Sequence, residues 1–158
     1  MLKKILIAVA CASLMAFAAD DPVSAIKKKD VELQTLLKKS SRSAKETERV
    51  KALLNDSFDF ELLAKKSLSK GDWDKQDAAS QEKFVAEFQR MVRNSSAKRL
   101  ELYRADSTIY ETAKMKGNDE ARVTAHLWNK GKESVLEYKM SVVNGNWKAW
   151  DLVIDDLS

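Results

Sequence analysis

The sequence predicts an α+β fold, with several helices in the first two thirds of the chain packed on a four-stranded antiparallel sheet formed by the last third. Three observations predict it. Apolar residues recur at helical spacing as far as Tyr103, and beyond that point they alternate with a period of two. The alternating runs are separated by Asn/Gly corners of the kind that close tight hairpins. The third is one of scale: 158 residues, 44% hydrophobic and 33% charged, supply one core and not two, and no linker, repeat or low-complexity tract divides them.

The elements follow in order. Lys3 and Lys4 precede the apolar run from Ile5 to Phe17, and Ala16-Phe17-Ala18 offers a small-x-small cleavage site. Residues 1–18 are therefore expected to be a signal peptide and 19–158 the domain. The run falls short of the ~20 apolar residues that span a bilayer, which disfavours a membrane anchor. Cys11, the single cysteine, lies inside the leader, so a cleaved chain has no thiol chemistry. Lipidation at Cys11 is disfavoured by the short apolar stretch before it.

Asp21 can cap a first helix that has Pro22 at its first position and Val23, Ile26, Leu33, Leu36 and Leu37 on one face. Ser43 and Glu46 have the spacing of a capping box for a second helix carrying Val50, Leu53 and Leu54. A short third helix is expected over 59–68, with Phe58, Leu62 and Leu63 for burial and Gly71 and Asp72 breaking it. The longest is expected over 78–103, with Phe84, Val85, Phe88, Met91 and Val92 on one face and Leu100 and Leu102 near its end.

Strands are expected at about 107–116, 120–129, 133–143 and 147–155, joined at Gly117-Asn118, Asn129-Lys130-Gly131 and Asn144-Gly145-Asn146. In the last hairpin, a two-residue loop would set Met140 and Val142 beside Trp147, Ala149 and Asp151. A three-residue loop would set Leu136, Tyr138, Met140 and Val142 beside Trp150, Leu152 and Ile154. The second gathers more apolar area and is the expected register.

Composition excludes several functions. The formal charge of +4 drops by two when the leader removes Lys3 and Lys4, and the remaining lysine runs alternate with acids, so no nucleic-acid stripe forms. His126 is the only histidine, which rules out a multi-histidine metal site, and it is expected as a partly exposed strand residue. Asp155 and Asp156 should point to opposite faces of a strand and make no catalytic dyad. Asp151, between Trp150 and Leu152, suits a structural hydrogen-bonding role, buried or opposite Trp150. The four glycines are scattered turn residues and cradle no phosphate.

The segment FDFELLAKKSL from Phe58, Trp73 shortly after it, the helix with Gln81, Phe84, Phe88, Val92 and Leu100, Tyr138, and the ending GNWKAWDLVIDDLS together resemble the MlaC family, also called the toluene-tolerance family. The resemblance runs from about Pro22 to Ser158. It departs from the family pattern at Ser69, where glycine is usual, in one extra residue between Leu68 and Trp73, at Ser96, where an aromatic is common, and at Asp156 in place of glycine. It also implies a member without the further C-terminal helix that commonly follows the position of Ser158.

What the resemblance implies is a curved antiparallel sheet and helices in a cone-shaped, nuclear-transport-factor-like architecture enclosing an apolar cavity for phospholipid tails. It implies a periplasmic, non-enzymatic phospholipid shuttle with no other cofactor, which maintains outer-membrane lipid asymmetry. Its partners would be an inner-membrane ABC transporter with its MCE-domain protein and an outer-membrane lipoprotein complex. On the elements above, the expected lipid-facing residues are Leu63, Phe84, Phe88, Met91, Val92 and Leu100 on the helices, with Leu136, Tyr138, Met140, Trp150 and Leu152 on the sheet. The same residues would also serve as ordinary core. Two other readings are an enzyme of the same cone-shaped fold, with His126, Asp151 or Glu137 as its acid or base, and an exported interaction module with a filled core.

Overall fold

The computed structural model describes residues 21–99 and 103–156, in the order α1 (Pro22–Leu37), α2 (Ala44–Ser57), α3 (Phe60–Ser67), α4 (Lys70–Asp74), α5 (Ala78–Arg99), then β1 (Ser107–Tyr110), β2 (Lys114–Lys116), β3 (Glu120–Asn129), β4 (Lys132–Val143) and β5 (Asn146–Ile154). The expected signal peptide, including Cys11, lies outside the described residues, as do Leu100, Leu102 and Ser158. Among the described residues no helix is long and apolar enough to cross a membrane.

The caps form as their sequence signals require. Asp21 accepts the N–H groups of Val23 and Ser24, each at 3.0 Å, with Pro22 opening α1. Ser43 and Glu46 make the reciprocal capping box of α2. Asp59 caps α3 through Leu62 N–H at 3.0 Å, and the residues this helix buries are Phe60 and Ala64, while the expected Phe58, Leu62 and Leu63 are half-buried. Gly71 and Asp72 do not end α3, which stops at Ser67 where Leu68 and Ser69 turn to extended backbone; they lie inside the next helix. Ser69 accepts the N–H of Asp72 at 3.1 Å and starts the one-turn α4, whose Trp73 is buried.

The sheet has five strands where four were expected. The single strand foreseen over 107–116 is two pieces on the same edge of β3, with Tyr110 opposite Ala125 and Lys114 opposite Arg122. Their registers differ by one residue, so Glu111 to Ala113 hold a local irregularity of the bulge kind. From there the order is β3, β4, β5, all antiparallel. The β3–β4 and β4–β5 loops are both two residues long, Lys130-Gly131 and Asn144-Gly145, with φ positive at all four positions. That is the type I′ signature, which the twist of a hairpin favours.

The expected three-residue loop is therefore wrong, yet half of its consequence holds. Val142 pairs with Trp147 and Met140 with Ala149, as a two-residue loop requires. Between Lys139 and Met140 the register then shifts, and Tyr138 meets Leu152 while Leu136 meets Ile154. Trp150 is the residue accommodated by that bulge. One extra residue thus satisfies both the Asn-Gly turn and the apolar pairing farther along.

The inner face of the sheet is built in rows across β3, β4 and β5: Ala121, Met140, Ala149; Val123, Tyr138, Leu152; Ala125, Leu136, Ile154. Ile26 and Val23 of α1 pack on this face, and Leu33 and Leu37 continue into a second cluster with Val50 and Leu53 of α2. Helix α1 lies against β3 and β5, and α2 and α3 lie along β5. A parallel bridge between Phe58 and Ala149, with Asp59 N–H on the Ala149 carbonyl at 2.8 Å, covers part of the exposed edge of β5. Helix α5 is placed differently: its main contacts are with α3.

Candidate functional site

The placement of α5 decides the site. The expected arrangement set the long helix opposite the sheet as two facing walls. In the structure α3 intervenes, and the two groups of expected residues are not brought together. On the sheet, Leu136, Tyr138 and Met140 are core, Met140 at 1% exposure, and Leu152 packs half-buried against the same cluster. On α5, Phe84 and Phe88 stack at 5.7 Å and Phe84 meets the edge of Trp73 at 6.5 Å, an aromatic ladder joining α5 to α4. Met91 is 57% exposed and faces neither wall. The position of Leu100 and the side chain of Ser96 are outside the described residues.

Two of the expected residues, Leu63 and Val92, do line a cavity. It is a groove of about 520 Å³ between α2, α3 and α5. Its walls are Val50, Leu54, Phe58, Phe60, Leu63 and Val92, of which Val50 and Phe60 are buried and the rest half-buried. Exposed Glu48, Lys51, Arg93 and Asn94 stand on its rim. An apolar wall with a few convergent polar groups, in a volume within the ~300–1,000 Å³ usual for ligand sites, is the composition a binding groove requires.

Leu54, Phe58 and Tyr103 line this groove and also a cavity of about 30 Å³ that reaches Ile26, Asp30 and Tyr138 over the sheet. These three residues separate the groove from the core. Tyr103 is held by α1: Gln34 donates through Nε2 to the Tyr103 carbonyl and accepts the Ala105 N–H through Oε1 at 3.0 Å. One turn earlier Asp30 accepts a hydrogen bond from the Tyr110 hydroxyl. Asp30 and Gln34 are the buried polar residues of the described structure, and both are partnered as burial demands. Burial pushes the Asp30 carboxyl up, an effect the Tyr110 hydroxyl partly offsets. Burial first, and then the nearby Asp30 carboxylate, push the Tyr110 and Tyr138 phenols up.

Trp150 lies elsewhere. Its ring sits under Lys66 Nζ at 4.4 Å and Lys139 Nζ at 5.6 Å, and its indole N–H is buried without a partner among the described residues. A wider depression of about 840 Å³, lined by Pro22, Val23, Tyr110, Met115 and Trp147 among others, takes none of the expected lipid-facing residues.

The residues nominated for acid–base chemistry stand on the sheet positions that alternate with the core, and each is paired. His126 lies between Glu133 at 2.8 Å and Glu111 at 3.0 Å. Asp151 meets Lys139 at 2.7 Å, and Glu137 meets Arg122 at 3.3 Å. Asp155 and Asp156 adopt positive φ in a turn after β5, and Asp155 Oδ1 accepts the Val135 N–H at 2.8 Å. None of the three nominees is among the residues lining the groove. Val50, Leu54, Phe60, Arg93 and Tyr103 were not foreseen as lining. The spacing of Val50 and Leu54 gives a second apolar row beside Leu53, which was the available signal.

An apolar wall with a polar rim, carried on an α+β domain, is the make-up of a ligand-binding groove. The family model described as MlaC protein matches residues 27–158, and the chain belongs to that family. No curated protein matches the sequence. Among solved structures, it is similar to the phospholipid-binding protein from Ralstonia solanacearum in complex with a phospholipid. The two share 17% identity over 87% of this chain and 80% of that one, with a TM-score of 0.73. At that identity the likeness is one of fold.

Proposed function

We propose that the chain is a periplasmic phospholipid-binding shuttle of an Mla-type system that maintains outer-membrane asymmetry. It would exchange lipid with an inner-membrane ABC transporter bearing an MCE-domain protein and with an outer-membrane lipoprotein complex. The observation that carries the reading is the groove of about 520 Å³ between α2, α3 and α5. Family membership and the phospholipid named with the Ralstonia solanacearum structure support it. A lipid tail left in water costs ~0.8 kcal/mol per methylene, so a carrier must surround a tail with apolar side chains, and Val50, Leu54, Phe58, Phe60, Leu63 and Val92 supply that surface. The expected sheet residues would reach the ligand only past Leu54, Phe58 and Tyr103, which stand between groove and core. No covalent step and no further cofactor enter this reading. Mass spectrometry of an organic extract of the exported protein, purified from a membrane-containing host, tests it. Phospholipid in stoichiometric amount is expected; its absence, even after incubation with liposomes, would overturn the proposal.

A further inference from the structure

The rim of the groove has an uneven charge balance. Lys51 is neutralised by Glu48 at 2.7 Å, and on α5 the preceding arginine, Arg90, is paired with Glu87 at 2.6 Å. Arg93, one turn on from Arg90, lines the groove and makes no ion pair among the described residues. Its guanidinium lies 5.5 Å from the Phe60 ring, a buried wall residue, so a cation–π contact holds it at the junction of the apolar wall and the solvent. The other polar residues of the rim, Asn55 and Asn94, are neutral. Among the described residues the groove therefore presents one uncompensated cation, planar and carrying several N–H donors, where a ligand whose tail lies along Phe60 and Leu63 would place its polar end.

We propose that Arg93 is the phosphate-binding residue of the groove, through a two-pronged guanidinium contact to the phosphate of a phospholipid. This rests on the lipid-binding reading above and deepens it: tails give affinity without discrimination, and Arg93 selects amphiphiles that carry a phosphate. A guanidinium fork matches two phosphate oxygens, which an ammonium cannot do. Exposure of Arg93 means that the contact forms at the water boundary, where the phosphate keeps part of its hydration.

The test uses the full exported chain, stripped of co-purified lipid, and two soluble ligands with the same tails, dioctanoyl phosphatidic acid and dioctanoylglycerol. Binding is read by calorimetry for the wild type, Arg93→Gln and Arg93→Lys. The wild type is expected to prefer the phosphate-bearing lipid by roughly 10- to 100-fold, the range for hydrogen bonds to a charged group. Arg93→Gln should abolish the preference while leaving dioctanoylglycerol binding intact, which also shows that the variant is folded. Arg93→Lys should keep part of it. Equal binding of both ligands by the wild type, or a preference that survives Arg93→Gln, would overturn the assignment of Arg93 while leaving the lipid groove standing. Binding of neither ligand would overturn both.

Discussion

Truncation of Met140 separates the core of this protein from its groove. Met140 is 1% exposed and its cross-strand neighbours on the inner face are Ala121 and Ala149. Small neighbours on both sides cannot swing into the space left by Met140→Ala, so the cost belongs in the upper half of the ~2–5 kcal/mol range for such truncations, about 4 kcal/mol. Against a total stability of roughly 5–15 kcal/mol this is large, and it should lower the melting temperature by on the order of 10–15 °C. Leu63→Ala is the counterpart. Leu63 is half-buried on the groove wall, so its loss should cost only about 1 kcal/mol of stability but weaken tail binding roughly ten-fold. The assay is thermal unfolding by circular dichroism with lipid retention measured on the same samples below the transition. A Met140→Ala protein that melts within about 3 °C of wild type and has lost its lipid would refute the reasoning, because Met140 would then line the ligand path.

Two further predictions concern titration. Burial holds the folded-state pKa of Asp30 above its ordinary 3.8, so its carboxylate destabilises the fold at neutral pH and the penalty vanishes once the group is protonated. Asp30→Asn, which can still accept the Tyr110 hydroxyl, should raise the urea midpoint at pH 7 and match the wild type near pH 3; a midpoint lowered at pH 7 would show that the charge itself is needed. Hydrogen bonds to Glu111, then to Glu133, hold His126 above its ordinary 6.5, so its contribution is fully present below that value and is lost as pH rises through the raised pKa. The urea midpoint of the wild type relative to His126→Gln should therefore fall from pH 6 to pH 9, and a difference that stays constant would remove His126 as its source.

Much of the fold was legible because its signals are local. Asp21-Pro22 and Ser43 with Glu46 place two helix starts within four residues of chain, since a cap needs only the N–H groups of the next turn. Lys130-Gly131 and Asn144-Gly145 place two hairpins, since positive φ is a property of the turn residues themselves. The β5 register was half legible. Turn chemistry and apolar pairing each pointed to a different alignment, and reading them as alternatives missed that a bulge at an edge strand accommodates both.

The site was less legible because it depends on which layers meet. Alternation on β4 correctly put Leu136, Tyr138 and Met140 on one face, and helical spacing put Phe84, Phe88 and Val92 on another, but neither period says what a face packs against. Tyr103 is brought to the groove by Gln34, 69 residues away, and Arg93 to Phe60 by the packing of α5 on α3.

By itself, then, the sequence determined the helices, the hairpins, the apolar face of the sheet and the family to which the chain belongs, all of which rest on short-range chemistry or on the order of motifs along the chain. Tertiary structure alone decided that α3 stands between α5 and the sheet. That choice fills the inner face of the sheet with core and opens the groove among α2, α3 and α5, because burial rewards any close packing of apolar faces and only the assembled set of helices selects which faces pair.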